Sequence, residues 1–108
     1  MNYVIKGVVR KGRGYGRIIG FPTINIKNNS KIRHGVYSGK VKLGGKIYKA
    51  GIVIGENAEA YLVGYQGNAY GKVATFEIKK FLRKWKIFKT EAELIKQIKK
   101  DLEQLAPY

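Results

Sequence analysis

GVYSGKVKLGGKIYKAGIVI, residues 35–54, reads as two nine-residue strands, 35–43 and 46–54, folded back on each other at Gly44-Gly45. Both central positions of a type I′ hairpin turn need positive φ, and glycine supplies it without steric cost. The chain on either side repeats the theme. Residues 59–65 and 70–79 form a second strand pair around Gln66, Gly67 and Asn68, a turn composition. Within the later strand Ala74, Phe76 and Ile78 alternate with Val73, Thr75, Glu77 and Lys79, so one face is apolar and the strand is half buried. Residues 2–10 read as a first strand, and the stretch from Gly12 to Gly20 as a glycine-rich loop.

All 14 glycines lie in the first 71 residues, and the only prolines are Pro22 and Pro107, a distribution that fits short strands joined by tight turns. The tail changes period. Leu94, Ile95, Ile98, Leu102 and Leu105 fall at helical spacing, and Thr90 with Glu93 three residues on fits a capping box, which predicts a helix over about 91–105. Several short antiparallel strands followed by one amphipathic helix give an all-β class: a small closed barrel with a C-terminal helix against it. We expect one domain over residues 1–108, since that length fits a single core.

Composition narrows the chemistry. The chain has no cysteine and one histidine, which excludes thiolate catalysis, disulfides, and metal sites built on cysteine or histidine. A metal here must sit on oxygen ligands. No apolar run approaches the roughly 20 residues needed to span a bilayer, and the start does not resemble a signal peptide, so the expectation is cytoplasmic. Twenty-two Lys and Arg against 7 Asp and Glu give a net charge of +15. Such a field attracts phosphate, whether on a nucleotide or on a nucleic acid, without giving specificity. A solvated lysine-rich surface has the same composition.

The densest signal is Gly12, Arg13, Gly14, Tyr15, Gly16, Arg17, running on to Gly20, Phe21, Pro22, Thr23, Ile24, Asn25. Alternating glycines let successive N–H groups turn toward one anion, and Arg13 and Arg17 add charge and fork geometry for phosphate. It is neither a Walker A loop nor a dinucleotide fingerprint, and a plain β-loop has the same glycine content. In an extended stretch Thr23 and Asn25 share one face, where a hydroxyl and an amide oxygen suit a hard cation such as Mg²⁺. Two outward polar residues of an ordinary strand read the same way. Among carboxylates only Glu56 and Glu59 precede Glu77, so a general base carried by the first five strands is one of these two. His34 precedes Gly35 without an acidic or hydroxyl neighbour and reads as a turn residue. Arg83 and Trp85, between the last strand and the helix, form either a bland junction or the border of a flat ligand.

Together these segments resemble the riboflavin kinase family over nearly the whole chain. GVVRKGRGYGRIIGFPTINI is similar to the family's glycine-arginine loop running into G-[FI]-P-T-A-N, and HGVYSGKV to its GVY strand. EAYLVGYQGNAYGK resembles its E-x-H-L-x-x-F-x-x-D-x-Y-G stretch, and FLRKWKIFKTEAELIKQIKKDLE its closing L-R…F…Q-I-x-x-D pattern. The resemblance implies a six-stranded Greek-key antiparallel barrel with one C-terminal helix. It implies transfer of the ATP γ-phosphate to the terminal ribityl hydroxyl of riboflavin, giving FMN and ADP, with Mg²⁺ or another divalent cation. By position it implies Glu59 as catalytic residue, and Thr23 and Asn25 at metal and phosphates. With these go Gly12, Gly14, Gly16 and Arg17 on the nucleotide, and Arg83 and Trp85 on the flavin.

Four departures stand out: Ile24 in place of alanine, Tyr61 in place of histidine, Gly64 where an acid is common, and no Pro-Thr-Phe segment between Gly55 and Glu59. The family's FAD synthetase half is absent from this sequence, so FMN is the expected product, made by a monomer. Two rival readings keep the barrel and drop the kinase: a basic RNA-binding module using the +15 charge and the 8 tyrosines, and a non-catalytic flavin-binding protein.

Overall fold

A computed structural model of the chain describes residues 2–12 and 20–105. It contains the strands β1 (Tyr3–Val8), β2 (Ile24–Lys27), β3 (Gly35–Leu43), β4 (Lys46–Ile54), β5 (Asn57–Leu62) and β6 (Val73–Arg83), and the helix α1 (Glu91–Glu103). All pairings are antiparallel, in the order β1-β6-β3-β4-β5-β2. The two edge strands then meet. Arg10, just past β1, bridges Asn25 of β2, with its N–H donating to the Asn25 carbonyl at 2.9 Å. The six strands thus form a nearly closed barrel with one C-terminal helix, the architecture expected from the sequence.

The hairpin matches the expected boundaries residue for residue: β3 and β4 pair in register from Gly35↔Ile54 to Leu43↔Lys46, and Gly44 (φ 59°) and Gly45 (φ 78°) make the turn. The second expected pair does not form: β5 pairs with β4 and β2, and β6 with β1 and β3, so the chain from Gln66 to Asn68 crosses between non-neighbouring strands. β5 ends at Leu62 and β6 begins at Val73, not at 65 and 70, because Gly64, Gly67 and Gly71 all take positive φ and coil the intervening chain. Tyr65 and Tyr70, which read as strand residues by propensity, stand in that loop.

Alternation fixes which side chains point inward. Ile5, Ile26, Val41, Ile52, Ala60 and Phe76 fill the interior, with Phe76, Ile26 and Ile52 fully buried. A barrel of this size has no lumen, only a packed core. Two register shifts in the β3–β6 pairing, at Val36/Tyr37 and at Ser38/Gly39, add residues to β6 and bend it around that core. Tyr37 closes the barrel's far end, its buried hydroxyl donating to the Arg33 carbonyl at 2.6 Å. Burial pushes its pKa up, with Arg33 opposing, so the phenol stays a donor.

The helix starts as the capping pattern predicts, with the Glu93 N–H donating to Thr90 Oγ1 at 3.2 Å. It lies on the outside of the barrel over β4, where Leu102 Cδ2 comes within 3.6 Å of the space a Gly51 side chain would take. Its apolar stripe is only half buried, and its one buried residue is an acid, Asp101. Arg83 Nε and Nη2 clasp that carboxylate at 2.9–3.2 Å, and Gln97 Nε2 adds a bond at 3.0 Å. This bidentate tie, from the last residue of β6 to the last turn of α1, holds the helix in place.

At Gly39 the strands β3 and β6 approach so closely that a Cβ would lie 2.1 Å from the Glu77 carbonyl oxygen, a main-chain atom that cannot swing aside. Gly39→Ala is therefore expected to destabilise the fold by roughly 1–3 kcal/mol, the usual range for overpacking. A lowered urea midpoint with an unchanged slope checks this, and an unaltered midpoint refutes the tight crossing.

Candidate active site

Because the interior is filled, the polar residues of β2 and β5 face outward. Ile24 and Ile26 point in, so Thr23, Asn25 and Lys27 point out; Ala58, Ala60 and Leu62 point in, so Asn57, Glu59 and Tyr61 point out. The β2–β5 register sets Asn25 directly opposite Glu59. Two residues along from Asn25, the Thr23 hydroxyl donates to Glu59 Oε1 at 2.9 Å. Thr23, Asn25 and Glu59, 36 residues apart at the extremes, thus form one cluster on the barrel's outer wall. Phe21 packs edge-on against Tyr61, with centroids 5.7 Å apart, and backs the Thr23 side of the cluster.

Asn25 is buried, although it faces outward, and Gly12 explains why. A Cβ at Gly12 would fall 2.3 Å from Asn25 Nδ2 and 2.8 Å from its Oδ1. The start of the glycine loop therefore lies directly on the Asn25 amide, and only a glycine leaves that room. Gly14, Gly16 and Arg17, the rest of the expected phosphate clamp, lie outside the described residues.

Beside the cluster opens a cavity of about 300 Å³, with Pro22, Thr23 and Tyr61 on one side and Tyr65, Ala69 and Tyr70 on the other. Thr23 belongs both to this cavity and to the cluster. The volume is at the low end for ligand sites, and tyrosine walls suit one flat ring. Following the register in the other direction, Glu59 pairs with Val53, Val53 with Val36, and Val36 with Arg83. Arg83 thus stands in the same row three strands from Glu59, about 14 Å along the sheet at roughly 4.8 Å per strand. Its guanidinium is engaged by Asp101, and Trp85, 61% exposed, follows it in the segment between β6 and α1. Neither residue lines the tyrosine cavity.

Glu56, the other early carboxylate, is exposed at the tip of the β4–β5 turn, where the Gly55 N–H bonds the Asn57 carbonyl at 3.0 Å. His34 is exposed at the entry to β3. The strand register therefore separates the two glutamates that residue counting leaves open: Glu59 joins the cluster and Glu56 does not.

The donor set tests whether a divalent cation fits. Among the described residues no group of three or more His, Cys, Asp or Glu side chains converges. The cluster offers a hydroxyl oxygen, an amide oxygen and one carboxylate, all hard donors. The Thr23 proton is committed to Glu59, which leaves its lone pairs for a cation. So sparse a set suits an ion that keeps its waters and shares substrate phosphates, as Mg²⁺ does.

The family model for riboflavin kinase, the flavokinase domain, matches residues 1–108. The chain belongs to the riboflavin kinase family. The bifunctional riboflavin kinase/FMN adenylyltransferase of Bacillus subtilis is 34% identical over 121 positions, covering 98% of this chain and 38% of that protein. The Haemophilus influenzae protein of the same description is 33% identical, covering 94% and 37%. The chain thus spans less than two fifths of these curated relatives. The aligned span with the Bacillus protein exceeds the chain's own 108 residues, so the relative carries insertions that this riboflavin kinase family member lacks.

Two solved structures share the fold. Riboflavin kinase from Trypanosoma brucei superposes with a TM-score of 0.75 at 20% identity, covering 94% of this chain and 73% of that one. A Streptococcus pneumoniae chain described as a macrolide-efflux protein superposes with a TM-score of 0.87 at 23% identity, covering 97% and 38%. Riboflavin kinases use ATP and a divalent cation. None of the described helices is long and apolar enough to cross a membrane.

Two features escaped the sequence. The clasp between Arg83 and Asp101 joins elements 18 residues apart, which neither strand nor helix period reports. Arg10, read as the end of a strand, has its guanidinium on Asn57 of β5.

Gly12→Ala isolates the role of the loop. The atoms a methyl would meet belong to the Asn25 amide, so the expected loss is in geometry and not in folding. Displacing that amide by about 1 Å is expected to cost up to roughly a hundredfold in turnover with the melting temperature little changed, since misplacement on this scale is expensive. Parallel kcat and thermal-melt measurements check it, and full activity would detach Asn25 from the chemistry.

Proposed function

We propose that this chain, a single domain acting as a monomer in the cytoplasm, transfers the γ-phosphate of ATP to the terminal ribityl hydroxyl of riboflavin, giving FMN and ADP. The observation that carries the reading is the Thr23–Glu59 hydrogen bond beside Asn25, a base and two neutral oxygen donors on one patch of wall. The tyrosine-lined cavity takes the flat base of the nucleotide. Thr23, at its rim, leads the phosphates toward Asn25 and Gly12, and Gly14, Gly16 and Arg17 are assigned to the nucleotide by their place in the sequence motif. Riboflavin enters from the opposite flank, toward α1, where Arg83 and Trp85 border the isoalloxazine. Arg83 does so as part of the clasp that positions the helix.

Glu59 then lies between donor and acceptor. Its Oε1 is held by Thr23, while its second oxygen, without a hydrogen bond among the described residues, takes the acceptor hydroxyl. That oxygen aims the hydroxyl and takes its proton as the new oxygen–phosphorus bond forms and the bond to ADP breaks, the electron pair leaving with ADP. Thr23 and Asn25 would hold Mg²⁺, which when bound neutralises charge on the phosphates. A basic RNA-binding module gives no reason for this cluster, and the nucleic-acid alternative is not favoured.

An ADP-release assay with riboflavin, ATP and Mg²⁺ tests the reading directly; riboflavin binding without ADP release would leave a flavin-binding protein in its place. Glu59→Gln preserves size and hydrogen bonding but removes the base, so kcat is expected to fall by about two to four orders of magnitude with both ligands still bound. Glu56→Gln, at the turn tip, is the matched control and is expected to turn over normally; the opposite pattern would move the active site.

Thr23→Ala removes both the bond to Glu59 and an oxygen donor. Its apparent KM for Mg·ATP is expected to rise by roughly three- to tenfold, the worth of one hydrogen bond, and to rise further as Mg²⁺ becomes limiting. A Mg²⁺ titration of wild type and variant checks this, and superimposable curves would exclude Thr23 from the metal.

A further inference from the structure

Arg10 follows the inward-facing Val9, so its side chain faces outward from the seam between β1 and β2. Its main chain bonds to Asn25, and Asn25 lies opposite Glu59, which puts Arg10, Asn25 and Glu59 in one row on three neighbouring segments. The guanidinium does not stay on its own strand. It crosses β2 and donates through Nη2 to Asn57 Oδ1, two residues before Glu59 on the same face of β5.

The partner is an amide, not a carboxylate. The ion pair found among the described residues is that of Arg83 with Asp101, so Arg10 is held in position with its full charge intact. An arginine anchored by neutral oxygen beside a base is arranged to meet an anion. The tyrosine cavity, Thr23, the Asn25–Glu59 pair and then Asn57 follow one another along β5, so the guanidinium stands beyond Glu59 from the nucleotide base. On the kinase reading, the phosphate that would stand on that side of Glu59 is the one being transferred.

We propose that Arg10 is a further catalytic residue, contacting the transferring phosphoryl group as charge builds on its oxygens, and that Asn57 is the positioning residue that presents it. The proposal rests on the kinase reading above. A fork of N–H donors suits equatorial phosphoryl oxygens, and a donor fixed in advance costs no reorganisation during transfer. The same contact would hold the phosphate of FMN after the reaction and ignore riboflavin, which has none.

Arg10→Gln, Arg10→Lys, Asn57→Asp and Lys27→Gln test this in the intact chain. The bridge from Arg10 to Asn25 is made by the main chain, so the substitutions at position 10 are expected to keep the fold, with melting temperature as the check. Arg10→Gln is expected to lower kcat by about a hundred- to a thousandfold, the cost of one lost donor to developing charge. It should weaken ATP more than ADP, and FMN more than riboflavin, by calorimetry. Lysine restores part of the rate, having charge without the fork. Asn57→Asp is the decisive arm: an ion pair there would strengthen a merely structural clamp, whereas it is expected to sequester Arg10 and depress kcat toward that of Arg10→Gln. Lys27, the cation opposite Asn57, reports on charge alone, and its variant is expected to stay within about threefold of wild type.

Normal kcat in Arg10→Gln, equal loss in Lys27→Gln, or wild-type turnover in Asn57→Asp overturns the proposal while leaving the kinase reading intact. If the wild-type chain fails to phosphorylate riboflavin yet Arg10→Gln still loses ATP relative to ADP, the kinase reading falls and the phosphate contact stands.

Discussion

One main-chain hydrogen bond, from the Arg10 N–H to the Asn25 carbonyl, turns an open six-stranded sheet into a nearly closed barrel. Without it β1 and β2 would be the two free edges, each exposing a row of unpaired amides. With it, the segment that leaves β1 is committed to run over β2. That path is what lays Gly12 on the Asn25 amide and sends the Arg10 side chain toward β5. Closure and site assembly are the same event in this fold.

Closure also decides which side of the wall can do chemistry. Phe76, Ile26, Ile52 and their neighbours fill the inside, and a polar ligand there would displace packed side chains worth roughly 1.5–3 kcal/mol each. Polar function is thus driven to the outer face, where strand alternation delivers Thr23, Asn25, Asn57 and Glu59 on two adjacent strands. An outer wall lacks the enclosure of a pocket, and the parts around the barrel supply it: Gly12 over Asn25 and the tyrosines of the β5–β6 loop beside Thr23. The Arg83–Asp101 clasp matters for the helix. α1 buries little apolar surface, so a bidentate ion pair with a third bond from Gln97 fixes on the barrel an element that packing alone would leave loose.

Much of this was legible in the sequence, and the boundary between legible and hidden has a physical cause. The Gly44-Gly45 hairpin was readable to the residue because turn chemistry there is local. The ends of β5 and β6 were not, since tyrosine favours strands and only the backbone reveals that Gly64, Gly67 and Gly71 turn the chain through positive φ. Thr23, Asn25 and Glu59 were nameable from motif and from the scarcity of acids. Their contact was not, because it depends on a β2–β5 register that joins residues 36 apart. Asp101 and Arg10 were hidden for the same reason: each takes its meaning from a partner that no periodicity relates to it.

The tight β4–β5 turn draws these points together. Gly55 and Glu56 connect the strands in the shortest way, where the family's pattern has a longer segment, so β5 begins at once and Asn57 falls on the outer wall within reach of Arg10. A longer connection could lie over that wall as a flap; here an arginine from the opposite seam lies across it instead. In a chain of net charge +15 with seven acids, a guanidinium with no ion pair among the described residues is anchored by the amide of Asn57, two residues before Glu59. Its position follows from the strand register, so the barrel itself, and not a mobile segment, sets the distance between that charge and Glu59.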